Sequence, residues 1–287
     1  MRIVSLLPSA TEILFGIGGE VVGVTHECDY PPEALKLPRL TSASGPELTN
    51  SAEIDRHVRA AVHAGSSLYH LDTELLERLN PDLIVTQELC PVCAVSYEIV
   101  DKAAKRLRSD ARVVSLEPKT LADVFGTIRY LGEVTGRAQQ AASVAATLEA
   151  RLSVLRAAEE RPRTLVLEWT DPPMSAGHWI PELVELAGGR PVLANPGANS
   201  QRLEWEAIAA SQPDAVIVAP CGFDLVKTRR AIAELERAAE WSSLDAFRAG
   251  RILALDGNAY LSRPGPRLVE AAEMIARWYT SGAEYAG

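Results

Sequence analysis

The strongest constraint in this sequence is one pattern written twice: an unbroken apolar run of strand length, then a polar loop, then a helical stretch. Ile3-Val4-Ser5-Leu6-Leu7 is stopped by Pro8, and Ser9 stands three residues before Glu12, the spacing of a capping box that predicts a helix to about Ile17, ended by Gly18-Gly19. Glu20 to Thr25, Leu83 to Thr86 and Arg112 to Leu116 read as further strands. Runs that are apolar throughout, rather than alternating, belong to a parallel sheet covered on both faces. The pattern then restarts. Strands from Thr164 to Trp169, Ala215 to Ala219 and Ile252 to Leu255 alternate with helices near Ile180 to Ala187, Leu203 to Ala210, Asp224 to Ala238 and Pro266 to Tyr279. The expected class is α/β, with two Rossmann-like lobes built on parallel sheets.

Between the lobes, Leu121 to Glu160 consists of helix formers broken at Thr135-Gly136. Past the break, Ala141, Ala145, Leu148, Leu152 and Leu155 recur at steps of four and three, one apolar face of a helix. A helix from about Arg137 to Glu159 would be roughly 34 Å long at 1.5 Å per residue. The organisation expected is an N-terminal lobe over residues 1–119, a helical connector over 120–161 and a C-terminal lobe over 162–287. One long rigid helix joining the lobes disfavours closure by a wide hinge.

The chain carries 29 Lys plus Arg against 38 Asp plus Glu, a net charge of −9. That balance disfavours nucleic acid and anionic membranes as partners. The first apolar run is too short for a secretory signal or a membrane span, so as written the chain reads as cytoplasmic, or as extracytoplasmic if an export signal has been removed.

In parallel α/β sheets, ligands bind outside the carboxyl ends of the strands. The loops there carry the chemistry: Thr25-His26-Glu27-Cys28-Asp29-Tyr30-Pro31 after one strand, and the stretch from Gln87 through Cys90 to Cys93 after another. If those strands are neighbours, His26, Cys28, Cys90 and Cys93 assemble a Cys3His set suited to zinc or another thiophilic metal. His-x-Cys is a poor half-site, because adjacent side chains on an extended chain point apart. A redox pair at Cys90 and Cys93, and buried thiols, stand as alternatives. In the second half, Gly177-His178-Trp179 opens a helix after a strand, and the loop from Gly189 to Ser200 is rich in Gly, Pro, Asn and Ala, which makes both candidate ligand contacts. No Gly-x-Ser-x-Gly elbow, Gly-x-Gly-x-x-Gly fingerprint or Walker loop occurs. An enzyme with Glu27 or His26 as general base is a further alternative, with no oriented nucleophile to support it.

The stretches "RIVSLLPSATEILFGIG", "VVGVTHECDYPPEA", "LNPDLIVTQ", "GHWIPELVELAGG" and "QPDAVIVAPCGF" resemble, in order and over essentially the whole chain, the substrate-binding proteins of ABC importers for cobalamin and iron complexes. The resemblance implies a non-enzymatic protein that holds a large metal complex in a cleft between two lobes with little closure. It implies cobalamin or a related corrinoid as ligand, with haem or a ferric siderophore as the alternative. Carried over by position, Thr25 to Tyr30, Gln87 and the segment at Asn199-Ser200 would present contacts, so the candidate ligand residues are His26, Glu27, Cys28, Tyr30, Gln87, Cys90, His178, Trp179 and Ser200. Here the sequence departs from the cobalamin binder: Glu27 stands at an aromatic contact position, and Gln87 and Ser200 stand at two tryptophan positions. Direct ligation or hydrogen bonding of the complex by His26, Glu27 and Cys28 would then replace stacking. The family also offers one glutamate per lobe to arginines of a permease, and these align with Glu74 and Glu206.

Overall fold

The computed structural model describes residues 1–45, 48–64, 68–87, 97–105, 107, 110–155 and 161–281. The chain divides into two compact units. The first comprises Met1–Glu47, Arg56–Glu117 and Phe125–Thr147; the second comprises Leu48–Asp55, Pro118–Val124 and Leu148–Gly287.

The elements of the amino-terminal half are β1 (Arg2–Ser5), α1 (Pro8–Gly16), β2 (Glu20–Val24), β3 (Thr41–Ala43), α2 (Ser51–His63), β4 (Tyr69–Leu71), α3 (Thr73–Leu79), β5 (Leu83–Thr86), α4 (Tyr97–Ala104), β6 (Arg112–Ser115), α5 (Leu121–Val134) and α6 (Ala138–Ser153). Strands β2, β1, β5 and β6 form, in that order, a parallel sheet. Its centre is Ile3, Val4, Leu83, Ile84 and Val85, all at 0–1% exposure, as unbroken apolar runs demand. Strands β3 and β4 form a separate antiparallel pair. Three-residue strands of mixed polarity carry no periodic signal, and the sequence did not announce them.

Helix α1 starts two residues earlier than a cap at Ser9 would place it. Pro8 is its first residue, Leu7 is the cap without a side-chain bond, and Ser9 and Glu12 are buried inside the helix rather than forming a capping box. Proline fits there because the first turn has no use for its missing N–H. The break at Thr135-Gly136 separates α5 from α6, with Gly136 at φ 70°. Helix α6 is 16 residues, about 24 Å at 1.5 Å per residue, and not the longer helix expected. Residues 154 and 155 lie beyond it, and 156–160 fall outside the described residues. Its predicted face is buried at Ala141, Ala145, Leu148 and Leu152.

The second half contains β7 (Arg163–Thr170), β8 (Pro173–Ser175), α7 (Ile180–Leu186), β9 (Arg190–Pro191), α8 (Trp205–Ser211), β10 (Ala215–Val218), α9 (Leu225–Leu235), α10 (Ala239–Ser242), α11 (Asp245–Arg248), β11 (Ile252–Ala254) and α12 (Leu268–Ser281). The order β11-β10-β7-β8, with β9 also on β7, departs from the expected parallel sheet in one place: β8 runs antiparallel to β7. A tight turn at Asp171-Pro172 folds the chain straight back.

One device appears in both units. Helix α3 ends at Asn80 in the left-handed conformation, followed by Pro81, Asp82 and β5; helix α8 ends at Gln212 in the same conformation, followed by Pro213, Asp214 and β10. The Arg2 backbone N–H donates to Asp82 Oδ2 at 2.7 Å, and its guanidinium donates to Leu79 O at 2.9 Å. The Arg163 backbone N–H donates to Asp214 Oδ2 at 2.7 Å, and its guanidinium donates to Ser211 O. The last helical carbonyl of each helix, an orphan by construction, therefore finds an arginine at the head of the neighbouring strand. None of the described helices is long and apolar enough to cross a membrane.

Candidate functional site

At the carboxyl end of β2 the chain turns sharply, with Cys28 N–H donating to Thr25 O at 3.1 Å. Inside this turn Thr41 Oγ1 accepts from the His26 backbone N–H at 3.0 Å and lies 2.7 Å from both His26 Nδ1 and Thr25 Oγ1. The imidazole is thus fixed on one side. On its other side Nε2 lies 3.1 Å from Glu27 Oε1 without the alignment of a hydrogen bond, and the ring leans on Tyr69 with centroids 5.5 Å apart. Glu27 and Tyr30 are exposed at this rim.

Cys28 points the other way. It is 0% exposed among Val24 and Ala34, with its Sγ 3.1 Å from Thr11 Oγ1, because the turn directs its side chain down into the apolar layer. The structure therefore presents it as a core thiol rather than a rim ligand. Gln87 follows β5 directly and is half-buried. Cys90 and Cys93 lie outside the described residues. The condition for a Cys3His set was that the two strands be neighbours, yet β1 sits between β2 and β5. Among the described residues, no group of three or more His, Cys, Asp or Glu is placed to hold a metal ion.

In the second unit the site is built from two antiparallel strips. Ser175 N–H donates to Gln201 O at 2.8 Å, His178 N–H to Ala198 O at 2.7 Å and Gly197 N–H to His178 O at 2.9 Å. The strips approach so closely that a Cβ on Gly177 would stand 2.5 Å from Ser200 N and 2.6 Å from Ala198 O, so only glycine fits. His178 sits at φ 54°, a conformation that this cross-strip pairing holds in place. It is half-buried, and that burial lowers its pKa and favours the neutral ring, against a hydrogen bond with Asn199. Trp179 was expected to face a ligand. It is instead 6% exposed, and its Nε1–H donates to Leu261 O at 3.0 Å, so it anchors the turn from below.

Ser200 donates to a carboxylate that sequence reasoning passed over. Glu168, in the middle of the apolar run of β7, accepts from the Ser200 hydroxyl and, through Oε2, from Gly177 N–H at 3.3 Å. Burial raises its pKa, and those two donors pull it back only in part. A glutamate inside an apolar strand was the available signal. Past the end of β10, Cys221 is exposed and its N–H donates to Glu168 O at 3.0 Å; past the end of β11, burial raises the pKa of Asp256 while it accepts from Ala259 N–H at 2.6 Å. The other group missed was Arg39, whose Nη1 donates to Thr25 O, His26 O and Cys28 O at 3.0, 2.9 and 2.7 Å. Nothing local in Leu-Pro-Arg-Leu foretells that contact.

Glu74 and Glu206 occupy the second positions of α3 and α8, the equivalent helices of the repeated device, and both are exposed.

The family described as periplasmic binding protein matches residues 3–259. The chain belongs to that family. The order of motifs had pointed to the same group. A vitamin B12-binding protein of Vibrio cholerae serotype O1 is 24% identical over 292 residues, covering 96% of this chain and 88% of that protein. Among solved structures, the periplasmic vitamin B12-binding protein BtuF of V. cholerae superimposes with a TM-score of 0.69 at 24% identity, covering 97% of this chain and 96% of that one. A periplasmic haem-binding protein from Pseudomonas aeruginosa gives 0.72 at 21% identity, covering 98% and 93%. These likenesses establish the two-lobed fold of this periplasmic binding protein; at such identities they leave the ligand to its own residues.

Proposed function

We propose that this periplasmic binding protein binds a corrinoid at the strand-end rims described above, as the substrate-binding component of an ABC-type importer. The observation that carries the reading is the full-length similarity to a protein named for vitamin B12 binding. The rim chemistry is compatible with it: Gln87, Asn199, Ser200 and a neutral His178 offer uncharged donors and acceptors suited to the amide groups around a corrin ring. Candidate contacts in the first unit are His26, Glu27 and Tyr30. A haem reading stands second, favoured by the structural likeness to haem-binding proteins. The role places the protein outside the cytoplasmic membrane. Glu74 and Glu206 would meet the permease, each presented on the first turn of an equivalent helix.

The test is a calorimetric and visible-spectrum titration of the full chain with hydroxocobalamin, run beside haemin and a ferric siderophore. Stoichiometric, micromolar or tighter binding of hydroxocobalamin supports the reading. Binding of haemin alone would replace it with the second, and binding of none would overturn both.

A further inference from the structure

We infer that Arg39 is the positioning residue of the first unit's ligand rim, setting the turn Thr25–Cys28 and with it the imidazole of His26. The inference rests on the proposed binding role, because that role makes the turn a contact surface. Its physical basis is independent of it. Carbonyl oxygens carry partial negative charge, and three of them from one turn, those of Thr25, His26 and Cys28, converge on a single nitrogen, Nη1 of Arg39. That nitrogen has two N–H groups for three acceptors, so one N–H is shared between two of them. Without a cation the three dipoles would repel one another and turn outward to water. Arginine supplies that charge, with its donors fixed in one plane.

The arginine is itself fixed. Val24 N–H donates to Pro38 O at 3.0 Å and Leu40 N–H donates to Val24 O at 2.8 Å, which pairs the backbone at Arg39 with the end of β2. The same segment brings Thr41, whose hydroxyl takes the His26 N–H and meets Nδ1. His26 is therefore gripped at its carbonyl by Arg39, and at its N–H and ring by Thr41. All three grips come from residues 39–41. The three bonds from Arg39 all go to backbone carbonyls, so it acts on the candidate contacts through the backbone.

The experiment compares the full wild-type chain with Arg39→Met, Arg39→Gln and Arg39→Lys. An ammonium has three N–H donors and can meet three converging carbonyls, whereas the thioether cannot. Two readouts are taken: the ring nitrogen and proton resonances of His26, assigned by loss in His26→Gln, and the dissociation constant for hydroxocobalamin from its visible spectrum. Arg39→Met is expected to shift the His26 resonances and to weaken binding by about tenfold or more, the usual scale for an outer-sphere support. Arg39→Lys should return both toward wild type. If Arg39→Met does not fold, Arg39→Gln, which keeps N–H donors but no charge, gives the same comparison with Arg39→Lys. His26 resonances unmoved in the neutral variants would overturn the inference, whatever the ligand. Shifted resonances with unchanged affinity would overturn it as well, leaving the corrinoid reading intact. Absence of corrinoid binding by wild type would sink the reading of function, while the His26 resonances still decide what Arg39 does.

Discussion

Replacing Gly177 with alanine tests the geometry of the second unit most directly. The new Cβ would stand 2.5 Å from Ser200 N, 2.6 Å from Ala198 O and 2.8 Å from Asn199 C, all backbone atoms that cannot rotate away. Reaching the 3.4 Å of ordinary contact from 2.5 Å asks the facing strip to retreat by about 0.9 Å. The hydrogen bonds from His178 N–H to Ala198 O and from Gly197 N–H to His178 O, now 2.7 and 2.9 Å, would lengthen past hydrogen-bonding range if the strip moved as a body. Two such bonds, at roughly 0.5–1.5 kcal/mol each, amount to about 1–3 kcal/mol, the same range as the strain of overfilling a packed site. For a unit of this size that is a fall in melting temperature of roughly 2–12 °C. The assay is well placed, because all five tryptophans, Trp169, Trp179, Trp205, Trp241 and Trp278, lie in the second unit, and their fluorescence reports its unfolding. Gly177→Ser should do at least as much harm. An alanine variant whose tryptophan transition matches wild type would refute the argument that backbone contact at Gly177 is what holds the strips together.

Three further outcomes follow from the same structure. Glu168 binds a proton more readily in the folded than in the unfolded chain, because burial raises its pKa, so its carboxylate subtracts stability as pH rises from the ordinary carboxyl range through the raised native value. Glu168→Gln should therefore flatten that decline in a series of melts, whereas parallel curves for the two proteins would show that the group is not buried as described. Arg151 and Glu273 form a paired contact with bonds of 2.9 and 2.8 Å, but both are partly exposed, so a double-mutant cycle should return about 1 kcal/mol of coupling and fade with salt. Ile84→Ala, at a fully buried position of β5, should cost about 2–5 kcal/mol by urea denaturation followed by far-ultraviolet circular dichroism, and a loss under 1 kcal/mol would mean that the first core collapses around the cavity.

What could be read from the amino acids divides along physical lines. The seven strands that carry long apolar runs were visible because burial on both faces leaves no room for polar residues, and β1, β2, β5 and β10 fall within a residue or two of where those runs predicted. The short β3, β4, β8 and β9 were not visible, since two or three residues hold no period and their pairing is decided by turns and by distant partners. At the candidate site, the loops were legible and the directions of the side chains were not. His26 and Cys28 are two residues apart, yet one lies at the rim and the other in the core, because a tight turn lies between them. Trp179 read as a ligand contact and is a buried anchor, its Nε1–H held by the carbonyl of Leu261, far along the chain. Arg39 and Glu168 went unread for opposite reasons: the first acts only through long-range contacts, and the second sits where a hydrophobic run makes the eye pass over a charge.

The arginine, proline and aspartate device shared by the two units has one more consequence. Residues 73–86 and 205–218 each contain a seven-residue helix, a left-handed residue, Pro-Asp and a four-residue strand, and Glu, Pro and Asp stand at the same places in both. A copied cassette presents its second residue in the same local frame twice. If those glutamates are what the permease reads, the permease needs to solve the recognition problem only once, because each unit offers it the same short motif.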